Sequence, residues 1–185
     1  MLRAIARSLL WLGGWTPIGD IPDVPKAVFI AAPHTSNWDG IWALIYKVAI
    51  GIDIRFFAKS TLFWFPLGSL LRALGGIPLD RNKAQSAVSE AIAMFHNNET
   101  FYFGLAPEGT RARREYWKTG FYRIAKAANV PVFLGVIDYS RKQVGIARRL
   151  DLSDDVEADL RKCAEFYKDI IGRHPENTTP VRFEP

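Results

Sequence analysis

The sequence has one cysteine, Cys163, in 185 residues, so no disulfide can close within the chain and no multi-cysteine zinc site can be built. Three histidines leave little else to hold a metal, and a reducing compartment is the expected setting. Long apolar runs are missing as well. Lys47, Asp53, Arg55 and Arg72 interrupt the greasiest regions, short of the roughly 18 residues a membrane-spanning helix needs. With 14 glycines and 11 prolines the chain is neither fibrous nor low in complexity, and no internal repeat divides it. There is no phosphate-cradling Walker loop and no dinucleotide glycine fingerprint, which removes support for a nucleotide cofactor. Gly-x-Ser-x-Gly is absent too, so no serine nucleophile is offered in that form.

What is present is a chain that is 49% hydrophobic, long enough for one core and too short for two comfortable ones. Its 24 Lys and Arg side chains outnumber 19 acidic ones for a net charge of +5, which favours nucleic acid, a membrane surface or a phosphorylated metabolite as partner. Residues 1–20 read as an amphipathic segment. Leu2, Ile5, Leu9 and Leu12 recur at helical spacing, Arg3 and Arg7 share those turns, and Trp11 and Trp15 suit a water–lipid boundary. Such a helix either lies on a membrane or packs on the domain, and spacing does not choose between them. No small-residue cleavage site follows Trp15, so a cleaved signal peptide is not expected.

One domain is expected over 21–172, followed by a loose, polar, Pro-rich tail over 173–185. Short apolar runs at 27–32, 54–58, 77–79, 100–105 and 130–137 have strand length, and a hairpin over 138–142 leads to a further strand at 143–147. Between them, helical periods run over 38–50, 66–74, 82–97 behind an Asn82 cap, and 119–128 behind a Thr119 cap. A last helix opens at Ser153 and carries Val156, Leu160, Cys163, Tyr167 and Ile171 as an apolar stripe, with Cys163 in the core, up to Gly172. Alternating strands and helices predict a single-domain α/β sandwich, a mixed and largely parallel sheet flanked by helices, with functional residues where strands end.

Pro33-His34-Thr35-Ser36-Asn37-Trp38-Asp39 directly follows the first of these runs and leads into a helix. There a loop can bring the Asp39 carboxylate back to the His34 imidazole, fix its tautomer and stabilise the imidazolium. The same residues also suit a helix start, with Ser36 or Asn37 as cap and Asp39 on the dipole. Pro107-Glu108-Gly109-Thr110-Arg111 follows another apolar run. Glycine allows close backbone approach there, Thr110 offers a hydroxyl, and Arg111 can grip phosphate through two parallel hydrogen bonds. Six cations from Arg111 to Lys126 face only Glu108 and Glu115, as a phosphate site or a solvated basic surface. Gly76-Ile77-Pro78-Leu79-Asp80-Arg81 presents a further arginine at a strand end. Lys59 also follows a strand, and Leu62 to Leu67 is an apolar, aromatic stretch suited to a core or to an acyl-chain groove.

In this order, His34-x-x-x-x-Asp39, Gly76 to Arg81, Pro107 to Arg111 and Val130-Pro131-Val132 resemble the four blocks of the lysophosphatidic acid acyltransferase (1-acyl-sn-glycerol-3-phosphate acyltransferase) family of glycerolipid acyltransferases, over Ala27 to Leu134. Lys59 and Lys118-Thr119-Gly120 also look like that family. The resemblance implies acyl transfer from acyl-coenzyme A or acyl-carrier protein to a lysophospholipid hydroxyl, 1-acyl-glycerol-3-phosphate by default. It casts His34 as base and Asp39 as its partner, and Lys59, Arg81, Glu108, Gly109, Thr110 and Arg111 as substrate-binding residues. No metal, no cofactor beyond the donor and no nucleic-acid partner are implied. The expected place is the cytoplasmic face of a membrane, held peripherally. Pro33 stands where many members have Asn, Ala106 where Phe is usual and Ala112 where Ser is usual. A nucleic-acid-binding module and a lipid-binding domain without turnover are the other readings of the same residues.

Overall fold

The apolar run expected as the first strand becomes the centre of the fold. In β2 (Lys26–Ala32) nearly every residue is buried, as in a parallel strand covered on both faces. The computed structural model describes residues 1–80 and 84–183. In chain order the other elements are α1 (Leu2–Leu12), β1 (Thr16–Ile18), α2 (Asn37–Ile50), β3 (Ile54–Lys59), α3 (Leu67–Ala73), β4 (Gly76–Leu79), α4 (Ala84–Asn97), β5 (Phe101–Leu105), α5 (Gly120–Ala128), β6 (Val132–Asp138), β7 (Gln143–Leu150) and α6 (Val156–Tyr167). The strands form one seven-stranded sheet in the order β1-β7-β6-β2-β5-β3-β4. Every pairing is parallel except β6 with β7, which a hairpin makes antiparallel. This is the expected mixed, largely parallel α/β sandwich.

Alternation along β2 divides the core into two layers. Val28, Ile30 and Ala32 face Phe95 of α4, Phe121 of α5 and Leu160, Cys163 and Tyr167 of α6. Ala27 and Phe29 face Ala6 and Leu10 of α1 and Tyr46 and Ala49 of α2. Burial pushes the Cys163 thiol up to about 12, so it is the inert core residue expected.

Four features differ from the reading of the sequence. β1 is not among the expected strands; it carries Pro17, which is tolerated because β1 is the edge strand beside β7. Residues 1–20 are therefore integral to the sandwich, and α1 is tied down by Arg7 Nε, which donates to Ala49 O at 3.2 Å. α6 is capped by Asp155, whose carboxylate accepts from Ala158 N, in place of Ser153. It stops at Tyr167 because the chain turns there to offer Ile171 O to Tyr139 N at 2.8 Å. The tail is not loose either. His174 N donates to Thr35 Oγ1, Arg114 N to Thr179 Oγ1 and Trp117 N to Arg182 O, so with the bond from Tyr139 N to Ile171 O residues 171–183 bind to three loops at the sheet's edge. Asn82, expected as a helix cap, and Arg81 lie outside the described residues.

Candidate active site

Because β2, β3, β4, β5 and β6 all run the same way, the segments leaving them emerge at one edge of the sheet. His34 follows β2, Lys59 ends β3, Glu108 to Arg111 follow β5 and Tyr139 follows β6. With β5 beside β2 and β3 beyond it, Lys59 sits two strands from the histidine, roughly 10 Å across the sheet. Ser36 caps α2, its Oγ accepting from Trp38 N, while Asp39 reaches back over the same turn to complete a capping box. The helix-start reading of this loop is met, and it does not compete with the other one, since the capping carboxylate is also the one that faces the imidazole.

Asp39 is fully enclosed. Its Oδ2 accepts from Thr35 N and Ser36 N at 2.7 Å each and lies 3.3 Å from His34 Nδ1, while its Oδ1 accepts from the Tyr139 hydroxyl at 2.9 Å. Burial alone would push this carboxyl up. The hydrogen bonds from His34, the Ser36 amide and Tyr139 outweigh it and hold the group below the usual carboxylate range. Nδ1 is thereby committed to Asp39, leaving Nε2 for a substrate proton; the His34 side chain keeps 22% of its surface exposed.

Glu108 is placed differently from its neighbours in the motif. It is 2% exposed, its Oε1 accepts from His34 N at 3.1 Å, and its Oε2 finds no partner among the described residues. Burial pushes its carboxyl up. Gly109 turns the chain with φ of 63° and lies under the Lys118 side chain, which a Cβ would strike. Arg111, Arg113, Arg114 and Lys118 are exposed beside Thr110, and Lys59 is exposed on the same edge. The structure thus links His34, Asp39 and Glu108 directly and places Lys59 and Gly109 to Arg111 along the same edge of the sheet.

His34 and Asp39 also open onto a cavity of about 280 Å³ between α2 and the sheet. The α2 face over it is Gly40, Ala43, Leu44 and Lys47, at helical spacing, and Phe56, Phe57, Val136 and Ile146 line it from the strands. Lys47 is buried and donates from Nζ to Ile54 O and Leu74 O. Burial pushes its ammonium below the ordinary lysine range, against the pull of Asp53. Leu62 to Leu67 does not line this cavity; Leu62, Trp64 and Phe65 are exposed. Sequence reasoning missed Tyr139, Lys47 and the segment 171–183. The hairpin at 138–142 was the only signal near Tyr139.

Among the described residues no three His, Cys, Asp or Glu side chains gather as a metal site, and no helix is long and apolar enough to cross a membrane. A family model described as Acyltransferase matches residues 19–136. The crystal structure of the 1-acyl-sn-glycerophosphate (LPA) acyltransferase PlsC from Thermotoga maritima is similar in fold. It has a TM-score of 0.63 and 20% sequence identity, over 93% of this chain and 80% of that one. No curated protein sequence matches.

Proposed function

The chain belongs to the acyltransferase family, and from that premise we propose that it transfers a fatty acyl group from acyl-coenzyme A or acyl-carrier protein to the free hydroxyl of a lysophospholipid, 1-acyl-glycerol-3-phosphate before others. The observation that carries this is the His34–Asp39 pair, 3.3 Å apart at the mouth of an apolar cavity. His34 Nε2 accepts the hydroxyl proton as the oxygen attacks the thioester carbonyl, and the imidazolium rests against Asp39. Collapse of the tetrahedral intermediate expels the thiolate, which takes that proton from His34 and leaves as the thiol. The acyl chain lies in the cavity under α2. Arg111, Thr110, Gly109, Lys59 and Arg81 hold the phosphate and so orient the hydroxyl. Glu108 supports the His34 loop from behind, through its bond to His34 N. No cofactor is required beyond the donor.

The same reading puts the protein on the cytoplasmic face of a membrane, held peripherally. α1 supports it: Ala6 and Leu10 dock on α2, while Leu2, Leu9, Trp11 and Leu12 stay exposed on a helix otherwise committed to the domain. The arginines of that helix, exposed themselves, reach toward the domain, Arg7 to Ala49 O and Arg3 against Gly51, and leave these apolar side chains uncovered.

The test is thiol release from long-chain acyl-coenzyme A and from acyl-carrier protein, with lysophosphatidate and other lysolipids, confirmed by product mass. Acceptor-dependent release is expected, falling about 10²- to 10⁴-fold in His34→Ala. Release without acceptor would make the protein a thioesterase. Silence with every donor would turn the reading to lipid or nucleic-acid binding.

A further inference from the structure

We propose that Tyr139 is a positioning residue for the base: its hydroxyl clamps the outer oxygen of Asp39 and so keeps the inner oxygen turned to His34. The inference rests on the reading of His34 as base. Asp39 has two oxygens and a complete set of partners. Oδ2 serves the Thr35 and Ser36 amides and His34 Nδ1, and Oδ1 has the Tyr139 hydroxyl alone among the described residues. Without that hydroxyl an enclosed, ionised oxygen is left bare, and rotation of the carboxylate becomes the way to relieve it.

Tyr139 is itself held on every side. It begins the β6–β7 turn, which Asp138 fixes by accepting from Ser140 N, Ser140 Oγ and Arg141 N. Its amide donates to Ile171 O. Its ring meets the Trp15 ring edge-on at 4.9 Å between centroids, with Lys142 Nζ 5.8 Å and the Arg173 guanidinium 6.0 Å from the ring centre. Burial and the Asp39 charge raise the phenol far above the ordinary tyrosine range, so it remains a proton donor at every working pH, and Arg173 acts in the opposite direction. The charged and titratable groups around Asp39 are therefore His34 on its own loop, Tyr139 from the β6–β7 turn with Lys142 and Arg173 behind it, and the buried Glu108 from the loop after β5.

The chemical consequence has a sign. Removing the donor to Oδ1 frees the carboxylate to turn, so Oδ2 no longer stays against Nδ1 and a protonated imidazole loses part of its counter-charge. The ring then gives up its proton more readily. Tyr139→Phe keeps the ring packed against Trp15 and removes only the oxygen. The acidic limb of log kcat/KM is expected to move down by roughly half a pH unit, and kcat to fall about tenfold through the looser carboxylate. A purely structural role would lower both rate and Tm without moving the limb.

The experiment is an NMR titration of the His34 ring protons in wild type and Tyr139→Phe without substrate, with His34→Gln identifying the resonance, beside the pH profile of transfer. A shift to lower pH in both records supports the proposal. A folded Tyr139→Phe protein whose His34 titrates unchanged overturns it. A shifted titration in a protein that shows no transfer at all leaves the coupling standing and overturns the proposed function instead.

Discussion

The cavity under α2 turns donor chain length into a measurable break point. An engineered cavity of 150 Å³ holds benzene, or about 25 Å³ per carbon, so about 280 Å³ encloses about eleven carbons. Length gives an independent figure. From Asp39 to Lys47 the helix rises about 12 Å, and an extended chain advances roughly 1.25 Å per tetrahedral carbon, which makes about ten carbons before the buried ammonium. Each methylene removed from water contributes about 0.8 kcal/mol, or up to about fourfold in kcat/KM. The series of saturated acyl donors is therefore expected to climb steeply to about ten carbons and level off beyond. Ala43→Leu adds three carbons midway along the cavity, one helical turn past Asp39. It removes about 75 Å³, and the break should fall to between about five and eight carbons while shorter donors keep their rates. Steady-state kinetics with donors from four to sixteen carbons, on micelle-free substrate, read this directly. A break that stays where it was, or a uniform loss at every length, would refute the placement of the acyl chain.

Two further outcomes follow from groups that the proposed chemistry does not consume. Burial raises the Glu108 carboxyl, so the folded chain binds its proton more tightly than the unfolded one. That contribution to stability is complete below the ordinary carboxylate range and is lost as pH rises through the raised value. Glu108→Gln, uncharged, should flatten the fall of Tm with rising pH, whereas Glu108→Ala strips His34 N of its acceptor and should cost about 1–3 kcal/mol; thermal melts across pH would refute this if the Gln variant kept the wild-type slope. For α1, replacing Leu2, Leu9 and Leu12 together by Ser removes about 1 kcal/mol of membrane contact per half-buried side chain, so vesicle binding should weaken roughly a hundredfold. Turnover of dispersed short-chain substrates should stay unchanged, and equal sedimentation with vesicles would refute the role given to that helix.

Much of this fold can be read along the chain because its signals are local. The run at 27–32 is apolar throughout because β2 is covered on both faces, and the loop from His34 to Asp39 carries a helix cap and an acid–base pair in six residues. What escapes is decided across distance. β1 carries a proline that only its edge position excuses, and no pattern near Thr16 reveals that β7 lies beside it. Tyr139 reaches Asp39 from a hundred positions further along the sequence. Glu108 looks like a surface group in a phosphate-binding turn, yet it is withdrawn from solvent beside a cavity that Ala32, Pro33 and Trp117 also line. Polar composition made residues 173–185 look detached, although Thr179 is among the most enclosed side chains of the protein.

The bonds from residues 171–183 to the three loops have a consequence for the order in which the protein is made. A nascent chain gains its amino-terminal elements first, and by residue 170 all four sequence blocks have been translated. The ties from Ile171 to Tyr139, from His174 to Thr35, from Thr179 to Arg114 and from Arg182 to Trp117 do not yet exist. A chain that has been made only as far as residue 170 therefore holds the sheet with these loops still unfastened, and residues 171–183 supply the partners that fasten them.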